Sequence, residues 1–264
     1  MYLEYLGLSE KPFENTPDTK FFYGSKCHTE ALAHVLGGLI NKGCGLLVGE
    51  NGCGKTMLAR KVIESLDPTQ YEIAYIAYPI FSSNEFLREM MFQFGIDAET
   101  GTRREMFDRF ATFGYENLQK GKQNVFMLDE AHLTENDEIF EQLRLLLNLH
   151  LQGKRLISVL LLGQPELAKR LAASPQFEQR IDIRERVHPL DSDDVVAYIR
   201  HRLRVAGVTR DVFTPEGYGR MAKLSQGIPR RINDIGERCL VEACRSKAEL
   251  IDESIVEKVP MPPM

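Results

Sequence analysis

The sequence predicts a three-layer α/β domain built on a parallel sheet, followed by a small all-helical domain. From residue 44 to residue 187, short apolar runs alternate with amphipathic helical patterns. This alternation is typical of a parallel sheet covered by helices on both faces. After Pro189 the pattern changes to three helices with no strand-rich run between them. We therefore assign residues 1–189 to the α/β domain and residues 190–264 to the helical domain.

The predicted elements follow in order along the chain. Residues 1–25 are rich in aromatic and turn residues. We expect them to pack on the α/β domain, either as ordinary core or as a wall of an adenine pocket. Strands are predicted at 45–48, 72–78, 124–129, 156–163 and 181–187. Helices are predicted at 28–42, 57–63, 84–95, 103–120, 135–151, 165–173, 191–206, 215–225 and 229–245.

Composition narrows the class of protein. The chain has 264 residues, 43% hydrophobic and 27% charged, which suits a globular protein with a sizeable core. Its net charge of −5 provides no global basic field for nucleic acid. The five cysteines include no C-x-x-C pair, which argues against a disulfide framework or a zinc site. Without a targeting segment or a long apolar run, we expect a cytoplasmic protein that reaches the inner membrane only through a partner.

The most informative motif is the glycine-rich turn after the first strand. Residues 49–56 fit the pattern G-x-x-x-x-G-K-[ST], between an apolar strand and a helical pattern. Glycines let backbone N–H groups approach phosphate oxygens, and the positive end of the following helix points at the same phosphates. We expect Lys55 to reach the β- and γ-phosphates of ATP and the Thr56 hydroxyl to hold Mg²⁺. The residues expected to bind the nucleotide are Gly49, Glu50, Asn51, Gly52, Cys53, Gly54, Lys55, Thr56 and Met57.

Two carboxylates mark the end of a second buried strand. Asp129 and Glu130 directly follow the apolar residues 125–128. Ligands of open α/β sheets bind at the carboxyl ends of the strands. We expect Asp129 to coordinate Mg²⁺ together with Thr56, and Glu130 to orient and activate the attacking water.

Three further positions are candidates for contacts with the γ-phosphate. Gln164 ends the next buried strand and is expected to contact the γ-phosphate or the attacking water. Arg180, before the last strand, is expected to reach a neighbouring subunit's γ-phosphate, with Arg184 and Arg186 as alternatives. Arg230 lies in the first turn of a predicted helix, where its charge opposes the helix dipole. This unfavourable position predicts an anionic partner, and the γ-phosphate of ATP is a candidate.

Cys53 gives a separate prediction about reactivity. Its position near the positive end of the phosphate-loop helix predicts a lowered thiol pKa. We then expect an alkylating reagent to inhibit the ATPase and bound ADP to protect it. The alternative is a buried, inert thiol.

Together these motifs resemble AAA+ ATPases, and more narrowly the ExeA/GspA-like family of secretion, MSHA-pilus and exosortase-locus ATPases. The resemblance covers nearly the whole chain. It implies an ATP- and Mg²⁺-dependent homo-oligomer, such as a hexameric ring or a filament, that supports assembly of an envelope component such as a secretin or pilus. Asn51, Cys53 and His132 depart from the residues usual in the family, and no membrane helix or peptidoglycan-binding segment follows, so direct peptidoglycan contact is not expected. The stretches that carry the resemblance are 5–8, 11–13, 16–18, 28–32, 143–149, 163–167 and 227–231.

Other functions stay open from the sequence. One is an ATP-dependent DNA-binding regulator of transposition, similar to the TnsC/MuB-type proteins, in which a basic cluster would face DNA phosphates. Another is a nucleotide-gated scaffold with negligible turnover. A helicase interpretation of the four residues 129–132, Asp-Glu-Ala-His, is disfavoured because the remaining helicase motifs are not found. The basic cluster comprises Arg200, His201, Arg202 and Arg204.

Overall fold

The computed structural model describes residues 2–41, 43–79, 82–134 and 136–260. The described residues form two compact units. The α/β unit comprises those within His28–Gly49 and Leu58–Val187. The helical unit comprises those within Met1–Cys27, Glu50–Met57 and His188–Met264.

The elements are numbered in chain order. The strands are β1 (Cys44–Gly49), β2 (Tyr71–Ile76), β3 (Gln123–Leu128), β4 (His150–Leu151), β5 (Lys154–Arg155), β6 (Ile157–Gly163) and β7 (Ile181–Val187). The helices are α1 (Tyr2–Leu6), α2 (Lys26–Ile40), α3 (Lys55–Ser65), α4 (Ser83–Gln93), α5 (Arg103–Gln119), α6 (Glu138–Leu147), α7 (Pro165–Ala172), α8 (Pro175–Glu178), α9 (Ser192–Val205), α10 (Pro215–Ser225), α11 (Pro229–Ser246) and α12 (Glu253–Lys258). Short 3₁₀ turns lie at Thr19–Phe21 and Ala131–Leu133.

A five-stranded parallel sheet forms the centre of the α/β unit. Its strand order is β2-β3-β6-β1-β7. Every residue of β1 and β6 is buried, because helices cover both faces of the sheet. Since all five strands run in the same direction, their carboxyl ends share one edge, which includes Gly49 of β1, Leu128 of β3 and Gly163 of β6. We call this the carboxyl edge.

Local sequence explains how the helices of this unit begin and pack. Ser82 and Thr102 form capping boxes with the glutamates three residues later, which satisfies the free N–H groups at the starts of α4 and α5. Aromatic side chains such as Phe86 and Phe126 contact each other in the core, with ring centroids 5.8 Å apart. Gly38 of α2 is required for close packing, since a Cβ there would lie 1.8 Å from the Ile183 side chain.

The helical unit packs around its own apolar core. The residues before α2 contribute to it, because Leu6, Phe13 and Phe21 are buried among side chains of α9 to α12. Gly236 of α11 leaves room for the Phe13 ring, since a Cβ there would lie 2.9 Å from it. The division therefore differs from the predicted one, which placed the first 189 residues in the α/β domain. Long-range packing of the aromatic residues of the N-terminal segment is the physical reason.

Most predicted elements are observed within a few residues of their expected ends. The predicted helix at 135–151 is shorter, because α6 spans Glu138–Leu147 and an antiparallel hairpin of β4 and β5 follows; residue 135 lies outside the described residues. The two hairpin-turn residues, Gln152 and Gly153, both have positive φ, at 50° and 76°. This conformation matches the twist of a two-residue hairpin. None of the described helices combines the length and hydrophobicity needed to cross a bilayer.

Candidate functional site

The acidic pair lies at the carboxyl edge of the sheet, as predicted from the sequence. Asp129 follows β3 and is 2% exposed. Its backbone N–H donates to the Ile76 carbonyl of β2 at 2.8 Å, and its Oδ1 accepts from the Glu130 N–H at 2.8 Å. Glu130 has φ 49° and ψ 34°, a left-handed conformation that turns the chain sharply after the strand. The Asp129 backbone is therefore tied to β2, its carboxylate is held by the Glu130 N–H, and Glu130 is directed away from the strand axis.

Tyr75 of β2 is a second contact to Asp129. Its hydroxyl donates to Asp129 Oδ2 at 3.0 Å. Burial and the neighbouring Asp129 carboxylate raise the pKa of the Tyr75 phenol, so the hydroxyl keeps its proton and remains a donor. This interaction fixes the rotation of the carboxylate. No sequence motif indicated Tyr75. Its role could have been predicted only with the knowledge that β2 and β3 are neighbouring strands.

His132 lies between the acidic pair and Gln164, the candidate contact with the γ-phosphate or the attacking water. Its Nδ1 is 3.4 Å from Glu130 Oε2, and its Nε2 is 3.0 Å from Gln164 Nε2. The backbone N–H of Gln164 also lies 3.4 Å from His132 Nδ1. Gln164 is the residue before α7, so it follows β6 at the carboxyl edge. The structure thus brings Glu130, His132 and Gln164 into one cluster.

Arg170 of α7 fixes the segment that carries His132. Its guanidinium donates to the Thr134 carbonyl at 2.6 Å and pairs with Asp137 Oδ1 at 2.6 Å. A weaker contact of 3.4 Å reaches the His132 carbonyl. The guanidinium also lies 5.1 Å from the centre of the Phe140 ring. Sequence reasoning missed Arg170, because its partners lie more than thirty residues earlier in the chain.

The glycine-rich loop has the backbone conformation that its sequence predicts. Gly52 and Gly54 have φ of 81° and 99°, where L-residues with a Cβ are disfavoured. Lys55 begins α3 and is 5% exposed, and its Nζ donates to the Glu50 carbonyl at 3.1 Å. Thr56 follows in the first turn of the helix. The loop therefore presents backbone N–H groups and a lysine at a helix N-terminus, the arrangement that suits a phosphate.

Arg230 contacts this loop within the helical unit. Its backbone N–H lies 3.3 Å from the Gly52 carbonyl, and its Nη1 donates to Asn51 Oδ1 at 3.3 Å. A Cβ on Gly52 would lie 2.8 Å from the Arg230 Cβ. The close approach explains why a glycine is needed at position 52. It also gives the Arg230 guanidinium an oxygen partner in its unfavourable position at the start of α11.

The prediction of a reactive Cys53 thiol is contradicted. The Cys53 side chain is fully buried, and burial raises the pKa of its thiol to about 11. The Lys55 ammonium acts in the opposite direction but is the smaller effect. The alternative of a buried, inert thiol fits the structure, because desolvation of the thiolate outweighs the helix dipole and the neighbouring cation.

The three candidate arginines around β7 differ in position: Arg180 precedes the strand, Arg184 lies within it, and Arg186 is next to its carboxyl end, in register with Val48 of β1. Arg180 immediately precedes β7, whose first residue is in register with Cys44, the first residue of β1. It therefore lies at the opposite edge of the sheet from Asp129, about 20 Å away for a strand of this length. Among the described residues its side chain makes no hydrogen bond or ion pair. Arg184 instead pairs with Glu178 at 2.6 Å and donates to the Ile181 carbonyl at 3.2 Å.

The basic cluster considered for DNA contact is used by the helical unit itself. Arg202 is 2% exposed, and its guanidinium donates to the Pro12 and Glu14 carbonyls, the latter at 3.0 Å. Arg200 pairs with Asp211 at 2.8 Å. Arg202 therefore stabilises the unit internally, and Asp211 balances the charge of Arg200.

The family model described as an AAA domain matches residues 40–171, which is half of the chain. The chain belongs to the AAA domain family. Over 249 residues it is 43% identical to General secretion pathway protein A of Aeromonas hydrophila. That match covers 92% of this chain but 45% of the relative, so the chain spans less than half of the relative's length. The resemblance found in the motifs is confirmed.

Several solved structures share the fold of this AAA domain protein. The ORC of Drosophila bound to DNA has a TM-score of 0.71 at 16% identity, covering 97% of this chain and 64% of that one. Cdc6p of Pyrobaculum aerophilum has a TM-score of 0.68 at 18% identity, covering 91% and 67%. The ORC2 protein of Aeropyrum pernix, in ADPNP–ADP complexes, has a TM-score of 0.66 at 16% identity, covering 95% and 71%. At these identities the likeness shows the fold alone, and it confirms the predicted fold class.

The residues of the AAA domain fit a nucleotide with Mg²⁺. The positive φ of Gly52 and Gly54 gives the loop the turned backbone with which N–H groups surround a phosphate. Mg²⁺ bound with a nucleotide needs only one or two protein oxygens besides the phosphates and water. The Asp129 carboxylate in the α/β unit is an oxygen ligand of this kind, and so is the Thr56 hydroxyl in the first turn of α3. Among the described residues no cluster of three or more His, Cys, Asp or Glu is arranged to hold a metal by itself.

Proposed function

We propose that this AAA domain protein binds and hydrolyses ATP in an oligomer, and that this activity drives or times assembly of a cell-envelope system of the type II secretion or type IV/MSHA-pilus-like kind. The AAA domain family and fold support ATPase activity in general. The assignment of individual residues and of the envelope system is the proposal.

The observation that supports it most strongly is the cluster at the carboxyl edge of the sheet. Asp129 and Glu130 follow β3, and Gln164 follows the adjacent β6. β1 is the next strand and ends at Gly49, which is joined to the first loop residue, Glu50. Chain connectivity therefore starts the phosphate loop from the edge that carries the carboxylates. This is the arrangement expected if both segments serve one nucleotide.

The proposed roles follow from the chemistry of each side chain. Lys55 stabilises charge on the β- and γ-phosphates, and Thr56 and Asp129 hold Mg²⁺, which neutralises phosphate charge when bound. Glu130 orients the attacking water and accepts its proton. Gln164 contacts the γ-phosphate or the water. Residues 49–57 contribute the remaining backbone contacts to the nucleotide.

Two arginines would contact the γ-phosphate in this proposal. Arg230 serves the nucleotide of its own chain, since it already contacts loop residue Asn51. Arg180 serves the nucleotide of a neighbouring copy, because it lies at the opposite edge of the sheet from the acidic pair. Arg184 is tied to Glu178 and is the weaker alternative.

Similarity to General secretion pathway protein A supports the envelope partner. The proposed assembly is a homo-oligomer, as a ring or a filament, that contacts a secretion or pilus component. We place it in the cytoplasm, at the inner membrane only through that partner. DNA is the second candidate partner. Two of the arginines that suggested it have structural roles, since Arg202 is buried and Arg200 is paired with Asp211. Binding to a DNA duplex with ATP at low salt would restore the alternative, because phosphate contacts weaken steeply with salt.

Phosphate release by the purified protein tests the enzymatic part. We expect Mg²⁺-dependent turnover that falls at least about 100-fold in Glu130→Gln, which loses the general base but keeps the nucleotide site. Lys55→Ala should instead weaken binding of a fluorescent nucleotide. Glu116→Gln, an exposed carboxylate on α5, is the matched control and should retain full turnover. Binding without hydrolysis in the unmodified protein would favour the nucleotide-gated scaffold.

A further inference from the structure

The contacts of His132 suggest a role that the phosphate-loop and carboxylate motifs do not include. The His132 side chain is 13% exposed, and its two ring nitrogens face different residues of the site. Nδ1 lies 3.4 Å from the Glu130 carboxylate, and Nε2 lies 3.0 Å from the Gln164 amide nitrogen. A neutral imidazole has one N–H donor and one acceptor nitrogen. With the proton on Nδ1, the ring donates toward Glu130 and accepts from the Gln164 amide, so both contacts are favourable at once.

Among the described residues, few other contacts set the direction of the Glu130 carboxylate. Its backbone is left-handed, a conformation that costs a residue with a Cβ on the order of 1 kcal/mol and persists where surrounding contacts hold it. Its side chain is 25% exposed, and His132 Nδ1 lies 3.4 Å from its carboxylate. A carboxylate that must orient a water needs a defined rotamer. The His132 imidazole lies where a hydrogen bond to the carboxylate would fix that rotamer.

The segment after β3 and the segment after β6 are connected at a second point besides His132. Arg170 belongs to α7, the helix that begins directly after Gln164, and it donates to the Thr134 carbonyl at 2.6 Å. Gly163, just before Gln164, permits the close packing of α7 on this edge, since a Cβ there would lie 2.7 Å from the Leu167 side chain. The segments after β3 and after β6 are therefore connected at both His132 and Arg170. A change at Gln164 would be transmitted to Glu130 over a short, packed path.

We propose that His132 is a positioning residue that sets the direction of the Glu130 carboxylate and couples it to Gln164. The inference rests on the proposed function of this site in ATP hydrolysis. The backbone N–H of Gln164 lies 3.4 Å from the same Nδ1, so it competes with Glu130 for that nitrogen. When Nδ1 carries the proton, Glu130 is the partner; when it does not, the Gln164 N–H is. The Glu130 side chain is thereby oriented only in the first arrangement.

The test compares His132→Phe with His132→Gln. Phenylalanine keeps a planar ring but removes both polar contacts, whereas a glutamine amide can donate to Glu130 and accept from Gln164. We expect His132→Phe to lower kcat at least about tenfold with KM for ATP within about twofold, and His132→Gln to stay within about threefold of the unmodified kcat. His150→Phe is the control, since that histidine is exposed in the β4–β5 hairpin, where its Nδ1 lies 2.7 Å from the Asn148 carbonyl.

A double-mutant cycle separates positioning from general stability. If His132 and Gln164 act as one unit, His132→Phe combined with Gln164→Ala should lower kcat by less than about twofold beyond the worse single variant. Multiplying effects, or an unchanged kcat in His132→Phe, would overturn the inference while leaving the ATPase assignment in place. Absence of turnover in the unmodified protein would instead overturn the proposed function. Thermal unfolding and fluorescent-nucleotide affinity check the fold of each variant, and His132→Ala replaces His132→Phe if the latter does not fold.

Discussion

The hydroxyl of Tyr75 donates a hydrogen bond of 3.0 Å to the carboxylate of Asp129, across two neighbouring strands of the sheet. Asp129 is the proposed Mg²⁺ ligand, and the Tyr75 hydrogen bond orients its carboxylate. Loss of such an orienting partner typically weakens metal affinity by about 10-fold or more. We expect Tyr75→Phe to raise the Mg²⁺ concentration needed for half-maximal ATPase activity by about tenfold. Tyr71→Phe, on the same strand but at its amino end, should leave the Mg²⁺ titration unchanged.

Gly52 and Gly95 form a matched pair for testing the phosphate loop. Both have positive φ, 81° and 71°, so alanine at either position carries the left-handed backbone cost of roughly 1 kcal/mol. A Cβ at Gly52 would also lie 2.8 Å from the Arg230 Cβ, whereas one at Gly95 meets no atom within 4 Å. We expect Gly52→Ala to weaken fluorescent-nucleotide binding at least about tenfold and Gly95→Ala to leave it unchanged. Equal nucleotide affinity in the two variants would show that the loop tolerates a Cβ at position 52.

Alkylation should distinguish Cys53 from the other thiols. Burial raises the pKa of its thiol to about 11, so the reactive thiolate is a very small fraction at pH 8 and grows only as pH approaches 11. We expect iodoacetamide at pH 8 to modify the partly exposed Cys244 at least about ten times faster than Cys53, as followed by peptide mass spectrometry. Bound ADP should not change the Cys53 rate. In urea all five cysteines should react at similar rates; fast, ADP-sensitive labelling of Cys53 in the folded protein would contradict this.

Arg202, one of the residues considered for DNA contact, allows a test of its structural role. Its guanidinium is buried, bonds the Glu14 carbonyl at 3.0 Å and lies 4.6 Å from the centre of the Phe21 ring. Arg202→Met leaves buried carbonyl groups unsatisfied, so we expect urea unfolding to show a loss of about 3 kcal/mol. Arg204→Met, exposed on the same helix, should cost less than about 0.5 kcal/mol. Similar stability of the two variants would mean that the Arg202 contacts contribute little.

The fold could be predicted from the sequence because its signals are local. Buried strands such as β1 and β6 are unbroken apolar runs, and helices α9 to α11 carry periodic apolar positions with clear start signals. The hairpin of β4 and β5 escaped prediction because strands of two residues have no measurable period. The packing of Phe13 and Phe21 with the helical unit also escaped, since it depends on contacts with residues far along the chain.

The site was predictable only in part for the same reason. The glycine loop and the acidic pair are short continuous motifs, so spacing alone located them. The contacts of His132 with Gln164, and of Tyr75 with Asp129, join residues 32 and 54 positions apart and exist because β3 lies between β2 and β6. The pKa of Cys53 depends on how completely the loop is buried. A helix dipole can be read from sequence, but the desolvation that outweighs it cannot.

The position of Arg180 at the amino end of β7 has a consequence for how copies of this chain would cooperate. A chain lacking Lys55 still carries its own Arg180, and a chain lacking Arg180 still carries its own glycine loop. Two variants that are each inactive, Lys55→Ala and Arg180→Ala, should therefore regain phosphate release when mixed, because some mixed assemblies contain one intact site built from both. If the mixture stays as inactive as its components, Arg180 does not act in the active site of a neighbouring copy.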